Sequence, residues 1–212
     1  MAVKKELEVI ICGVGGQGVV LMSELLGKAA VRDGIEVKGS EVLGMAQRGG
    51  SVFSNIRLGS GAYAPLTPEG KCDILIAVEP SEALRNIHYL SKSSLVVVNS
   101  RKVMPFTVFL GQSDYPSLEE ILAKLSKVSE RVVTLEATQL AEKAGSLQSV
   151  NVVMLGALFG TGLMPVKAET AKAMIQSRFP AKAAGVNLKA FDLGYQEVQQ
   201  ALKAMAGTAY SI

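Results

Sequence analysis

Two glycine-rich turns near the start of the chain carry the residue types best suited to holding an anion. In GVGGQG, Gly13, Gly15, Gly16, Gln17 and Gly18 follow the apolar run 9–12 and precede a helix-like segment, 19–32. A tight passage from strand to helix leaves the N–H groups of the helix start free to meet an anion or an acyl-phosphate-like group. In QRGGS, Gln47 and Arg48 stand before Gly49 and Gly50. That sets a fixed positive charge on a backbone with no side chains in the way, suited to an anion or an interface. Gln17 adds an amide that a plain phosphate loop does not need. It either donates to a ligand oxygen or pins the second turn across the mouth of the sheet. Asn151 is the polar residue of an otherwise apolar helical run and requires a partner. It either caps that helix or points at the glycine turns.

Other chemistry is sparse. The single histidine, His88, lies between Ile87 and Tyr89 with no nucleophile near it in sequence. It reads as an ordinary surface or half-buried side chain rather than a general base. Glu79 follows a predicted strand, where α/β folds present ligand-facing groups, but a helix start explains it equally well. Motifs of the G-x-S-x-G, H-E-x-x-H and G-K-[ST] kinds are absent from the sequence. Cys12 and Cys72 are too few and too far apart for a zinc site, an iron–sulfur cluster or a disulfide framework, and read as reduced core thiols.

Patterning says what must position these residues. Strand-like runs fall at 8–12, 36–40, 51–58, 73–78, 94–99, 107–111 and 131–135, and helix-like runs at 19–32, 80–90, 118–128, 137–144, 150–161, 168–178 and 186–205. Strand and helix alternate through the first half, the sign of a mainly parallel sheet covered on both faces. The runs at 9–12, 74–78 and 95–98 are almost continuously apolar, as central strands require. By contrast 51–58 alternates, with Val52, Ser54, Ile56 and Leu58 set against Phe53, Asn55 and Arg57. That pattern predicts an edge strand or an antiparallel neighbour. The expected fold is α/β: a three-layer α/β/α domain spanning 1–212, with a mixed, mainly parallel sheet, a Rossmann-like N-terminal unit and a helical C-terminal third.

Composition narrows the function. The chain has 212 residues, 49% hydrophobic and 19% charged, with 21 glycines and a net charge of +3. Without a basic patch or a long run of like charge, neither nucleic acid nor a membrane surface is an expected partner. The start is charged, with no following apolar segment, and the most apolar stretch, 150–164, falls short of the roughly 20 residues a bilayer needs. A cytoplasmic protein is expected. GVGGQG also satisfies the dinucleotide fingerprint G-x-G-x-x-G, which wants an acidic residue ending the second strand. Here that end reads Val37-Lys38-Gly39-Ser40, with Glu41 late. A stand-alone NAD- or FAD-binding oxidoreductase therefore stays an alternative, as does a module binding a CoA-like ligand.

The runs GVGGQGVVLMSELLGKAA and SEVLGMAQRGGSVFSNIRLG together resemble the gamma-type subunit of the 2-oxoacid:ferredoxin (acceptor) oxidoreductases. The wording EVLGMAQRGGSV, then YAPLTPEGKCDILIAVEPSEALR, is most similar to the small (beta) subunit of the indolepyruvate ferredoxin oxidoreductases. NVVMLGALFG and VNLKAFDLGY extend the resemblance over essentially the whole chain. Leu43 departs from the His that the indolepyruvate type often carries, which leaves the 2-oxoacid open. The resemblance implies a non-catalytic but required subunit of an enzyme that converts a 2-oxoacid and coenzyme A to acyl-CoA and CO2 while reducing ferredoxin. It implies no cofactor in this chain. Thiamine diphosphate, magnesium and [4Fe–4S] clusters would sit on a larger partner subunit, with coenzyme A as co-substrate. The glycine turns and Asn151 would face coenzyme A or that partner.

Overall fold

The computed structural model describes residues 6–44, 48–61 and 64–208. Six strands form one sheet: β1 (Leu7–Val14), β2 (Val37–Leu43), β3 (Ser51–Leu58), β4 (Ile74–Ala77), β5 (Leu95–Asn99) and β6 (Arg131–Leu135), in the order β2-β3-β1-β4-β5-β6. β1, β4, β5 and β6 run parallel, while β3 is antiparallel to both β1 and β2. The sheet is mixed, as the alternation of 51–58 predicts, with β3 one place in from the edge that β2 forms.

Side chains alternate across the sheet because successive residues of a strand face opposite sides. Val9, Ile11, Ile74, Ile76 and Val97 join one core. It also holds side chains of α1 (Val19–Arg32), α5 (Ala137–Ala144), α6 (Val150–Gly160), α7 (Ala168–Arg178) and α8 (Ala181–Thr208). Ile10, Cys12, Leu75, Ala77, Val96 and Val98 join the other, under α2 (Pro80–Arg85) and α4 (Leu118–Ser126). The three layers are thus five helices, a sheet and two helices.

Helix limits follow local chemistry. Ser117 accepts from the Glu120 N–H while Glu120 accepts from the Ser117 N–H, the reciprocal cap that opens α4. α6 is apolar all round, and Val152 to Gly160 are all buried, so it needs protein on every side. The neighbouring α8 supplies much of that cover through Ala190, Phe191 and Val198. Each large aliphatic side chain so buried contributes about 2 kcal/mol.

Three expectations change. Residues 107–111 form no strand. A short helix, α3 (Phe106–Phe109), stands there instead. Pro105, which has no N–H to give a ladder, presets the backbone for the turn that opens this helix. The helix predicted over 80–90 ends at Arg85, and a separate 3-10 turn, Ile87–Tyr89, follows. In addition, α8 begins five residues before the expected 186, directly after Pro180.

Candidate functional site

The two glycine turns meet because of strand direction. β1 ends at Val14, and β3, running the opposite way, begins opposite it at Ser51. The loop after β1 and the loop before β3 therefore leave the sheet at one rim. There the Gly15 N–H donates to the Gly50 carbonyl at 2.7 Å, and the Gly49 N–H donates to the Gly15 carbonyl at 3.1 Å. The turns are joined by backbone. Gln17 plays a different part: its Oε1 accepts from the Val14 N–H at 2.8 Å, folding the amide over buried Gly13 and closing its own turn. It does not pin the second turn through that oxygen. Arg48 is exposed and has no ion-pair partner among the described residues, and Gln47 lies outside them.

Asn151 serves both the start of α6 and the first glycine turn. It is the second residue of α6 and only 8% exposed. Its Oδ1 accepts from the Val152 N–H at 2.9 Å, and its Nδ2 lies against Gly18, 2.3 Å from where a Cβ on that glycine would sit. Gly18 also takes φ 78°, in the left-handed region, so the position excludes a side chain twice over.

Two cavities flank the first turn. On one side a crevice of about 290 Å³ opens at the carboxyl ends of β1, β4 and β5, where open α/β sheets hold ligands. Gly16, Gln17, Asn99, Arg101, Thr138 and Asn151 carry its polar surface. Asn99, Arg101 and Thr138 were not signalled by any motif. The available signal is their place at or just after the ends of β5 and β6. On the other side an apolar groove of about 570 Å³ runs between α1 and the end of β2, with exposed Leu43 and Val20 on it and Arg178 and Glu24 lining it as well.

Beneath the second turn lie two buried carboxylates. The Ser51 hydroxyl donates to Glu82, which also pairs with Arg85 at 3.0 Å. Burial pushes the Glu82 carboxyl above its ordinary value, against the pull of Ser51 and Arg85. Glu79, fully buried, caps α2 through the Glu82 N–H and accepts from Ser81, the Val103 N–H and the Tyr115 hydroxyl. It is a helix start and a clamp, not a ligand-facing group. Burial, then the bond to Glu79, raises the Tyr115 phenol. Both thiols are held protonated by burial, with Glu82 and Cys72 adding to the rise at Cys12. His88 is exposed and its ring lies 4.1 Å from that of Tyr89. Glu41 accepts from the Ser23 hydroxyl at 2.8 Å.

Among the described residues no group of three His, Cys, Asp or Glu is placed to hold a metal ion, and no helix is long and apolar enough to cross a membrane. The side chains lining the crevice at this rim offer hydrogen-bond donors and, in Arg101, a positive charge.

The family described as pyruvate ferredoxin/flavodoxin oxidoreductase matches residues 8–197. The chain is 44% identical to indolepyruvate oxidoreductase subunit IorB of Archaeoglobus fulgidus, over 90% of this chain and 94% of that one. It is 28% identical to the pyruvate/ketoisovalerate oxidoreductases common subunit gamma of Pyrococcus furiosus, over 91% and 97%. Among solved structures, pyruvate oxidoreductase subunit PORC of Thermotoga maritima superposes with a TM-score of 0.68 at 24% identity, over 92% of this chain and 97% of that one. The 2-oxoglutarate:ferredoxin oxidoreductase of Magnetococcus marinus, with 2-oxoglutarate, coenzyme A and succinyl-CoA bound, gives 0.71 at 22% identity, over 93% of this chain but 32% of that one. The structural likenesses support the α/β fold, and the sequence matches establish kinship: this chain belongs to the pyruvate ferredoxin/flavodoxin oxidoreductase family.

Proposed function

We propose that this chain is the small subunit of a 2-oxoacid:ferredoxin oxidoreductase, required for turnover and without catalytic cofactors of its own. The observation that carries the reading is the extensive identity with indolepyruvate oxidoreductase subunits over almost the full length of both chains. The complex converts a 2-oxoacid and coenzyme A to acyl-CoA and CO2 and reduces ferredoxin, and an arylpyruvate such as indolepyruvate is the first substrate to try. Thiamine diphosphate, with its magnesium ion, and [4Fe–4S] clusters belong on the larger subunit. The residues here do not fit a cluster, since the two thiols are both buried and protonated and a cluster needs more thiolate ligands than two. The 212 residues act as one domain, which the single continuous sheet supports. Gly13, Gly15, Gly16, Gln17, Gly18, Gln47, Arg48, Gly49, Gly50 and Asn151 form the face turned toward coenzyme A or the larger subunit, in the cytoplasm.

Co-expression with a large thiamine-enzyme subunit from the same organism, followed by purification and assay with a panel of 2-oxoacids, tests this. Copurification and acyl-CoA formation that disappears without this chain are expected. Full turnover by the large subunit alone would refute the reading.

A further inference from the structure

We infer that the segment joining β5 to α4 is a docking arm whose aromatic tip seats in an apolar pocket of the larger subunit. This rests on the small-subunit reading above. From Val103 to Ser113 the chain carries no charged residue. Within that stretch Met104, Phe106, Phe109 and Leu110 are 41%, 74%, 73% and 54% exposed, and none of them joins either core. Phe106 and Phe109 lie one turn apart on α3 and so share a face. Together the four expose roughly 400–500 Å² of apolar surface, as much as the largest patch of a typical monomer.

The arm is held in place by its roots. Glu79, buried just after β4, ties both of them with one oxygen: its Oε1 accepts from the Val103 N–H at 3.2 Å and from the Tyr115 hydroxyl. Its Oε2 accepts from the Ser81 hydroxyl and the Glu82 N–H, so the same carboxylate fixes the arm to the start of α2. Between the roots the Leu110 N–H donates to the Phe106 carbonyl at 3.1 Å and the Gln112 N–H to the Thr107 carbonyl at 2.9 Å. The Ser113 hydroxyl donates to that of Thr107 at 2.8 Å. A loop closed by its own bonds presents the two rings in a fixed arrangement. A pocket that receives them binds with little further loss of chain entropy.

Position and area name the occupant. β5 runs parallel to β1 and β4, so the arm leaves the sheet at the rim of the glycine turns. Arg101 and Val103, at its first root, line the same crevice as Gly16 and Gln17. A standard interface buries about 800 Å² on each partner, nearly twice what the arm exposes. Two arms alone therefore do not make a stable dimer of this chain, whereas one partner spanning the arm and the glycine turns has room to reach that area. An anionic bilayer is a poorer match, because Arg101 and Lys102 at one root are opposed by exposed Asp114 and Glu119 at the other. Aromatic and methionine side chains beside an arginine are the composition of an interface centre.

Dissociation of the co-expressed complex on dilution, read by mass photometry, tests the inference. Phe106→Ser combined with Phe109→Ser should raise the Kd between the subunits at least about a hundredfold, or prevent copurification. The same double variant should unfold at the wild-type denaturant midpoint or above it, because neither ring belongs to a core. Val31→Ser removes a similarly exposed apolar side chain near the far end of α1 and should leave the Kd unchanged. Tyr115→Phe frees one root of the arm and should weaken assembly severalfold. Wild-type affinity in the double variant, while the unsubstituted chain assembles, would overturn the arm and leave the small-subunit reading standing. Failure of the unsubstituted chain to assemble would end both. A dimer of the chain on its own, or its flotation with phosphatidylserine vesicles, that the double variant abolishes would give the patch another occupant and overturn the inference.

Discussion

Gly156 on α6 faces the backbone of Phe191 on α8 so closely that a Cβ on the glycine would lie 2.0 Å from the Phe191 carbonyl oxygen. Gly194, on the opposing helix, stands in the same relation to Val153, at 1.9 Å. Both obstructing atoms are backbone, which cannot swing aside. The G-x-x-x-G spacing of Gly156 and Gly160 therefore serves a helix crossing inside the protein core, with Gly160 against Tyr195 in the next turn. Gly156→Ala should destabilise the chain by about 3 kcal/mol, the upper range for overpacking. Gly27→Ala, in α1 with no atom within 4 Å of its Cβ, should be neutral or stabilising by about 0.5 kcal/mol. Denaturant midpoints of the two variants would separate close approach from helix propensity.

The glycines of the first turn divide in the same way. A side chain at Gly16 meets nothing within 4 Å, so Gly16→Ala pays only for its φ of 96°, about 1 kcal/mol. Gly18→Ala must pay for φ and also displace Asn151. In a double-mutant cycle, Asn151→Ala should relieve part of the Gly18→Ala cost, a coupling of about 1 kcal/mol read from thermal or denaturant unfolding. Strict additivity would show that the two residues do not press on each other.

Asp33 caps a helix that it does not belong to. From the C-cap of α1 it accepts from the Lys167 N–H and the Thr170 hydroxyl, both at 2.7 Å, at the start of α7. Burial raises its carboxyl, but those two bonds and the charges of Lys167 and Arg32 outweigh it, and the net shift is downward. A depressed carboxyl contributes stability above its unfolded value, about 3.9, and loses it as pH falls through the lower folded value. Asp33→Ala should cost about 1 kcal/mol at pH 7 and nothing at the most acidic pH where the chain stays folded. A constant difference across that range would refute this account.

Glu82 has the opposite sign. Its folded carboxyl is raised, chiefly by burial. As pH rises past about 4.3, the unfolded chain releases this proton first, so the residue lowers stability until the folded value is passed. Glu82→Gln keeps the shape without the ionisation. The variant should gain on the wild type as pH rises above about 4.3, read in urea midpoints. Parallel pH profiles would argue against a raised Glu82.

Arg48 stands exposed on the second turn, so its removal should leave unfolding unchanged. If this turn faces the larger subunit or coenzyme A, Arg48→Ala should weaken assembly or raise the apparent KM for coenzyme A by about tenfold. Unchanged assembly and kinetics would dismiss the turn from the site.

Much of the architecture is legible because strand and helix periods differ. The continuous apolar runs of β1, β4 and β5 and the alternation of β3 suffice to predict a mixed sheet. The short apolar segment around Phe106 misleads, since β-forming residues make a strand only where a neighbour offers hydrogen bonds. At the rim, Gly18 and Asn151 were readable because one has no side chain and the other is polar in an apolar helix. Thr138 and Arg101 were not. Each is an ordinary polar residue in its own segment, and only the parallel order of β1, β4, β5 and β6 brings them to the same crevice.

The bonds from Gly15 to Gly50 and from Gly49 to Gly15 extend the β1–β3 ladder past its last pair, Val14 and Ser51. The paired turns thus inherit the alignment of two strands that meet only after the intervening helix and edge strand have been laid down. A slip of one residue would turn every β3 side chain over and part the turns together. The joined turns are therefore a mark of correct register, and a chain with its strands out of step would not form them.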